Sequence, residues 1–156
     1  MPDATNTRMR TILILLFATH LSWAENGGRA EYVGGTLTNF NNGSAGRVVT
    51  TGEESLSFKG KGKSIEVSYD KINLVEYGQK VDRRYIAAVL ISPLFLMSKK
   101  RNHFLTIGFE DEKGKQQAMV FRVRKEDVRS LLVSLEARTG RKIQYQDEDA
   151  RKAGKG

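Results

Sequence analysis

Apolar and polar positions alternate in short runs through most of this chain, and the alternation gives way twice to unbroken apolar stretches, at residues 12–18 and 85–97. A period of two marks a strand with one buried face, because successive side chains leave the backbone on opposite sides. Residues 32–38 are rich in β-formers but interrupted by Gly34 and Gly35, and residues 41–46, Asn-Asn-Gly-Ser-Ala-Gly, read as a turn. Residues 47–51 and 55–58 flank Gly52-Glu53-Glu54 as a hairpin, and residues 59–63, Lys-Gly-Lys-Gly-Lys, form the next turn. Ile65, Val67 and Tyr69 then alternate with Glu66 and Ser68, and Ile72, Leu74, Val75 and Tyr77 continue the sheet after a kink at Asp70-Lys71. Further on, residues 103–109 and 117–123 pair as a hairpin turning at residues 112–115. Leu105, Ile107 and Phe109 share the face expected to meet the core, with Phe104 and Thr106 on the other.

The period then changes. Val128, Leu131, Leu132 and Leu135 fall at i, i+3, i+4 and i+7, which predicts an amphipathic helix. Glu126 and Asp127 suit its positive first turn, and Gly140 is placed to stop it. Ile143 and Tyr145 add a brief extended segment, and residues 147–156 read as a flexible charged tail. The fold class expected is therefore mainly β with one C-terminal α-helix.

The first apolar run has the anatomy of a secretory signal. Arg8 and Arg10 precede the apolar core, and Ser22 and Ala24 place small residues three and one positions before a cut. The core falls well short of the roughly 20 apolar residues of a spanning helix. Residues 1–24 are thus expected to be a cleaved signal peptide, the product exported to a periplasm or the extracellular space, and residues 25–146 a single domain. The second run, residues 85–97, is uncharged and bracketed by Arg83 and Arg84 on one side and Lys99, Lys100 and Arg101 on the other. Its large side chains favour burial at roughly 1.5 to 3 kcal/mol each, so the run cannot simply lie in water. Three burials are open: against its own domain, in a membrane surface, or against another protein or a second copy. As a helix of about 1.5 Å per residue it would not span a bilayer core of roughly 30 Å, and Pro93 interrupts it.

Composition narrows the chemistry. With no cysteine, neither disulfides nor a thiolate metal site are available. The net charge of +8 falls to +7 when Arg8, Arg10 and Asp3 leave with residues 1–24, a balance that favours acidic surfaces. Cations and anions are interspersed and no basic-aromatic motif stands out, so nucleic acid is not an expected partner. His103 is the one histidine left after residue 24, which excludes a histidine-rich metal centre. No Gly-x-Ser-x-Gly elbow and no glycine-rich phosphate loop is present. The acids Glu110-Asp111-Glu112 have the composition of a hairpin tip rather than of opposed catalytic carboxylates. No catalytic residue, metal or cofactor is expected.

Residues 46–51, Gly-Arg-Val-Val-Thr-Thr, followed by Leu56-Ser57-Phe58, Ile65-Glu66-Val67, Ile72 and Val75-Glu76, resemble the signature of GRAM and bacterial pleckstrin-homology-like domains. Leu105-Thr106-Ile107, Gly114, Phe121 and the helix through Leu132 and Leu135 extend the resemblance over residues 31–138. It implies a small, partly open barrel of two bent antiparallel sheets capped by the C-terminal helix. The paired basic residues by which such domains hold phosphoinositides have no counterpart here, where the first hairpin offers only Arg47; Lys59, Lys61 and Lys63 lie one hairpin later. The function expected is a non-enzymatic exported binding module, peripheral on anionic membrane lipid. Leu94, Phe95 and Leu96 would insert, and Arg83, Arg84, Lys99, Lys100 and Arg101 would contact phosphates. The alternative is a module that binds an envelope protein or forms a homo-oligomer, with the run in its core or interface.

Overall fold

The structure, a computed structural model, describes residues 27–80 and 102–155. Among the described residues the chain forms β1 (Gly28–Gly35), β2 (Ser44–Val49), β3 (Ser55–Gly60), β4 (Lys63–Ser68), β5 (Ile72–Gly78), β6 (His103–Glu110) and β7 (Gln116–Val123). Then follow α1 (Lys125–Thr139), β8 (Gln144–Tyr145) and α2 (Glu148–Lys155), and a 3-10 turn, Tyr69–Lys71, makes the kink between β4 and β5. The β3–β4 turn is tighter than its glycine-lysine composition suggests. Only Lys61 and Gly62 lie outside the strands, with φ of 44° and 75°. Two positive φ values in a row fit the right-handed twist of the flanking strands, and glycine takes the second at no steric cost.

The strands hydrogen-bond in the order β4-β3-β2-β1-β7-β6-β5-β8. The expectation of two bent sheets is corrected here to one open sheet, because β1 pairs with β2 on one side and with β7 on the other. A bulge between Tyr32 and Gly34 accommodates the second pairing. The two antiparallel runs, β1 to β4 and β5 to β7, nevertheless share one core. Phe58 of β3 lies 4.9 Å from Phe121 of β7 between ring centroids, and Phe40 lies 4.9 Å from Phe58. Leu105, Ile107 and Phe109 join this core, as their alternation predicts.

α1 covers the same core through Val128, Leu131, Leu132 and Leu135, all buried. It stops where Gly140 turns left-handed at φ 65° and donates its N–H to the Glu136 carbonyl at 3.0 Å. The charged tail expected at residues 147–156 is instead largely the helix α2, so the chain ends in two helices rather than one. Its start is capped by Asp147, whose carboxylate accepts from the Ala150 N–H at 2.7 Å, and Lys152 and Lys155 suit its last turn. The small residues among its charges decide the matter. Ala150 is fully buried, and Gly154 sits so close to Tyr145, Leu132 and Tyr77 that a Cβ there would lie 2.7 Å from Tyr145.

Candidate functional site

All eight residues expected to contact lipid or a partner, Arg83, Arg84, Leu94, Phe95, Leu96, Lys99, Lys100 and Arg101, lie outside the described residues, as do residues 1–24. The structure describes the two points at which their segment joins the fold. β5 ends at Gly78, which pairs with Phe104 near the start of β6, so the chain leaves and re-enters through adjacent strands at one end of the sheet.

Asn102 and His103, at the point of re-entry, line an open groove of about 910 Å³. Its other walls bring together Arg29 and Glu31 of β1, Arg122 of β7, and Arg124, Lys125 and Glu126 at the start of α1. The polar faces of β1 and β7 assemble it, because Glu31 stands opposite Arg122 in the register. Four cations thus face two carboxylates. Arg122 pairs with Glu31, Arg124 Nε lies 3.4 Å from Glu126, and the Arg29 N–H donates to Asp127 at 2.8 Å. Ion pairs this exposed contribute about 0 to 1 kcal/mol each, so the groove keeps a small positive excess held by weak contacts.

Behind the groove His103 meets Tyr77. The rings lie parallel within 7°, and the Tyr77 hydroxyl is 2.5 Å from His103 Nδ1. Burial pushes the Tyr77 hydroxyl up to about 12 and holds His103 below its ordinary value, with the nearby Lys125 charge adding to the second effect. Both shifts keep the proton on the phenol and off the imidazole. The neutral phenol and the neutral imidazole share this hydrogen bond. The pair orients the first residue of β6, with Lys125 and Glu126 near enough to act on the His103 charge.

The other candidate residues have structural duties. Arg47 donates from Nη2 to the Gly27 carbonyl at 2.6 Å, and Lys63 donates to the Asn39 carbonyl at 3.2 Å. Asp111 accepts from the Lys113 and Lys115 N–H groups, both at 2.9 Å, and from the Gln117 amide at 2.8 Å. Those donors, the Lys115 N–H first, hold its carboxyl below the usual range and make it the organiser of the β6–β7 turn. Among the described residues no three His, Asp or Glu side chains gather as for a metal, and no helix is long and apolar enough to cross a membrane.

The groove escaped sequence reasoning because its walls are about ninety residues apart and meet only through the β1–β7 register. The visible signal was the polar alternation of Arg29-x-Glu31 and Arg122-x-Arg124, which shows two charged faces but not their adjacency. No protein-family model matches the chain, and no curated protein matches it.

Proposed function

We propose that this chain is an exported, non-enzymatic binding module of pleckstrin-homology-like architecture that associates peripherally with anionic membrane surfaces. The architectural part is supported by the succession of seven strands and a helix, and by the side of α1 that enters the shared core. The observation that carries the functional part is where the apolar segment returns. Asn102 and His103 form a wall of the basic groove that carries Arg29, Arg122, Arg124 and Lys125, and Lys99, Lys100 and Arg101 immediately precede them in sequence. Cations beside an anionic leaflet contribute about 1 kcal/mol each, enough together to hold a segment with three inserting side chains. In this reading Leu94, Phe95 and Leu96 enter the acyl boundary, Arg83, Arg84, Lys99, Lys100 and Arg101 meet phosphates, and the sheet stays outside.

The test is flotation of the folded protein with neutral and with anionic vesicles at low and high salt. Binding is expected only with anionic lipid and weakens as salt screens the charges. The double substitution Leu94→Asp with Phe95→Asp removes binding while leaving the far-ultraviolet circular dichroism unchanged. Folded wild-type protein that does not float overturns the reading, and a mass that rises with concentration in lipid-free buffer replaces it with self-association. Export predicts that protein recovered from outside the cytoplasm begins at Glu25 by N-terminal sequencing.

A further inference from the structure

Four cations stand in one line across the outer face of the sheet. Lys59 of β3 is the register partner of Arg47 on β2, and Arg47 is the register partner of Arg29 on β1. The Arg124 N–H donates to the Arg29 carbonyl at 3.2 Å, which places Arg124 next in the line. Their chain neighbours Phe58, Val48, Ala30 and Val123 belong to the core, so the four share the face turned away from it. At about 4.8 Å between strands the line is about 14 Å long. The basic groove holds only its Arg29–Arg124 end, and the line carries on across two further strands.

Such a line is unfavourable within a sheet, because like charges directly opposite one another repel. The neighbouring acids relieve it only at its ends. Asp127 lies 4.0 Å from Arg29 Nε, Glu126 lies 3.4 Å from Arg124 Nε, Glu31 is engaged with Arg122, and Glu66 stands on the diagonal to Lys59. β2 carries no acid, and both register partners of Arg47 are cations. The Arg29 and Arg124 side chains are 60% and 53% exposed, and Lys59 is exposed too. A sheet that keeps this line at its surface bears a local cost, and costs of that kind collect at binding sites.

We infer that this line is a docking surface for a linear anionic polysaccharide whose carboxylates recur along an extended chain. Charge complementarity selects a polyanion, since a row of negative groups laid across the strands offsets the repulsion between the cations. Guanidinium groups suit carboxylates in particular, because the two planar groups can join through a pair of parallel N–H···O bonds. The lack of rings selects the polysaccharide. Single-stranded nucleic acid is held by bases stacked on aromatic side chains, and a protein partner by aromatic anchors at the centre of its interface. Among the described residues no Tyr or Phe is exposed. Ala45 and Ser64, on the same face as the line, are exposed and short, so they leave room for a chain to lie flat. The inference does not rest on the membrane reading, since it uses neither residues 85–97 nor a bilayer.

The test is titration of fluorescently labelled polygalacturonate with the full chain in lipid-free buffer, with labelled dextran as the uncharged control. Wild type is expected to bind polygalacturonate saturably, to lose affinity as salt rises, and to leave dextran unbound. Lys59→Gln with Arg29→Gln is expected to weaken binding about tenfold or more. Lys113→Gln with Lys115→Gln removes the same charge from the exposed β6–β7 turn and is expected to weaken it less than about twofold. Arg47 is left in place, because its bond to the Gly27 carbonyl ties β2 to the start of β1. Both double variants are expected to keep Tm within about 2 °C of wild type, as exposed substitutions do. Absence of saturable binding by wild type overturns the inference. So does equal weakening in the two variants, which would reduce the effect to net charge, and so does a fall in Tm confined to the Lys59–Arg29 pair, which would give the line to the fold. Tighter binding of labelled oligothymidylate than of polygalacturonate also overturns it and assigns the line to nucleic acid.

Discussion

The β3–β4 and β6–β7 hairpins are built to the same plan and are treated differently by their surroundings. In β4, Ile65 and Val67 are buried while Ser64, Glu66 and Ser68 face solvent, so that one face meets the core and one meets water. In β6 and β7 both faces are buried from Phe104 to Phe109 and from Gln117 to Phe121. Lateral shielding accounts for the one crossover case. Ser57 of β3 is small enough to be hidden between Val49 and Glu66, its register neighbours. The β3–β4 hairpin ends the sheet at β4 and stays half wet, whereas β6 and β7 each have a strand on both sides.

Substitutions can sharpen this contrast, and the largest effect is expected on the doubly buried side. Phe104→Ala is expected to cost about 3 to 5 kcal/mol in urea unfolding, as for a core phenylalanine. A cost under about 1 kcal/mol would make that face no more than a rim. The next effect is one of pH and belongs to the same hairpin. His103 is held below its ordinary value of 6.5 by burial and by Lys125, so on acidification the unfolded chain takes up that proton first. The contribution is therefore complete above about pH 6.5 and is lost as pH falls through the lower folded value. The urea midpoint should drop between pH 7.5 and 5, and His103→Gln should flatten that part of the profile. An unchanged slope in the variant would assign the loss to other groups. The smallest effect is expected on the solvated hairpin, where Glu66→Ala should stay within about 0.5 kcal/mol of wild type.

Much of this fold can be read from the chain because each strand carries its own pattern. The alternation of Ile65, Val67 and Tyr69, the hairpin centred on residues 112–115 and the i, i+3, i+4, i+7 spacing of α1 are local, and the structure has each of them in place. The uninterrupted apolar run Ala118-Met119-Val120-Phe121 already departs from strict alternation, and that departure marks the face buried twice. The single sheet was not legible, since it depends on β1 choosing β7 as a second neighbour. Nor was α2. Its sequence is charged enough to pass for a tail, and its helical state depends on Ala150 and Gly154 fitting against Tyr77 and α1. Of the candidate site, the apolar run and its flanking cations were evident as composition, whereas the groove they lead into needed the register.

The position of β1 also sets a timetable. Ala30 pairs with Gly46 almost as soon as both have been made, but its other partner is Val123, near the end of the chain. During synthesis the first strand therefore waits, with one edge unsatisfied, for most of the sequence to appear. Long-range closures of this kind slow folding more than they weaken the folded state. Once closed, that seam joins both runs of strands into one sheet.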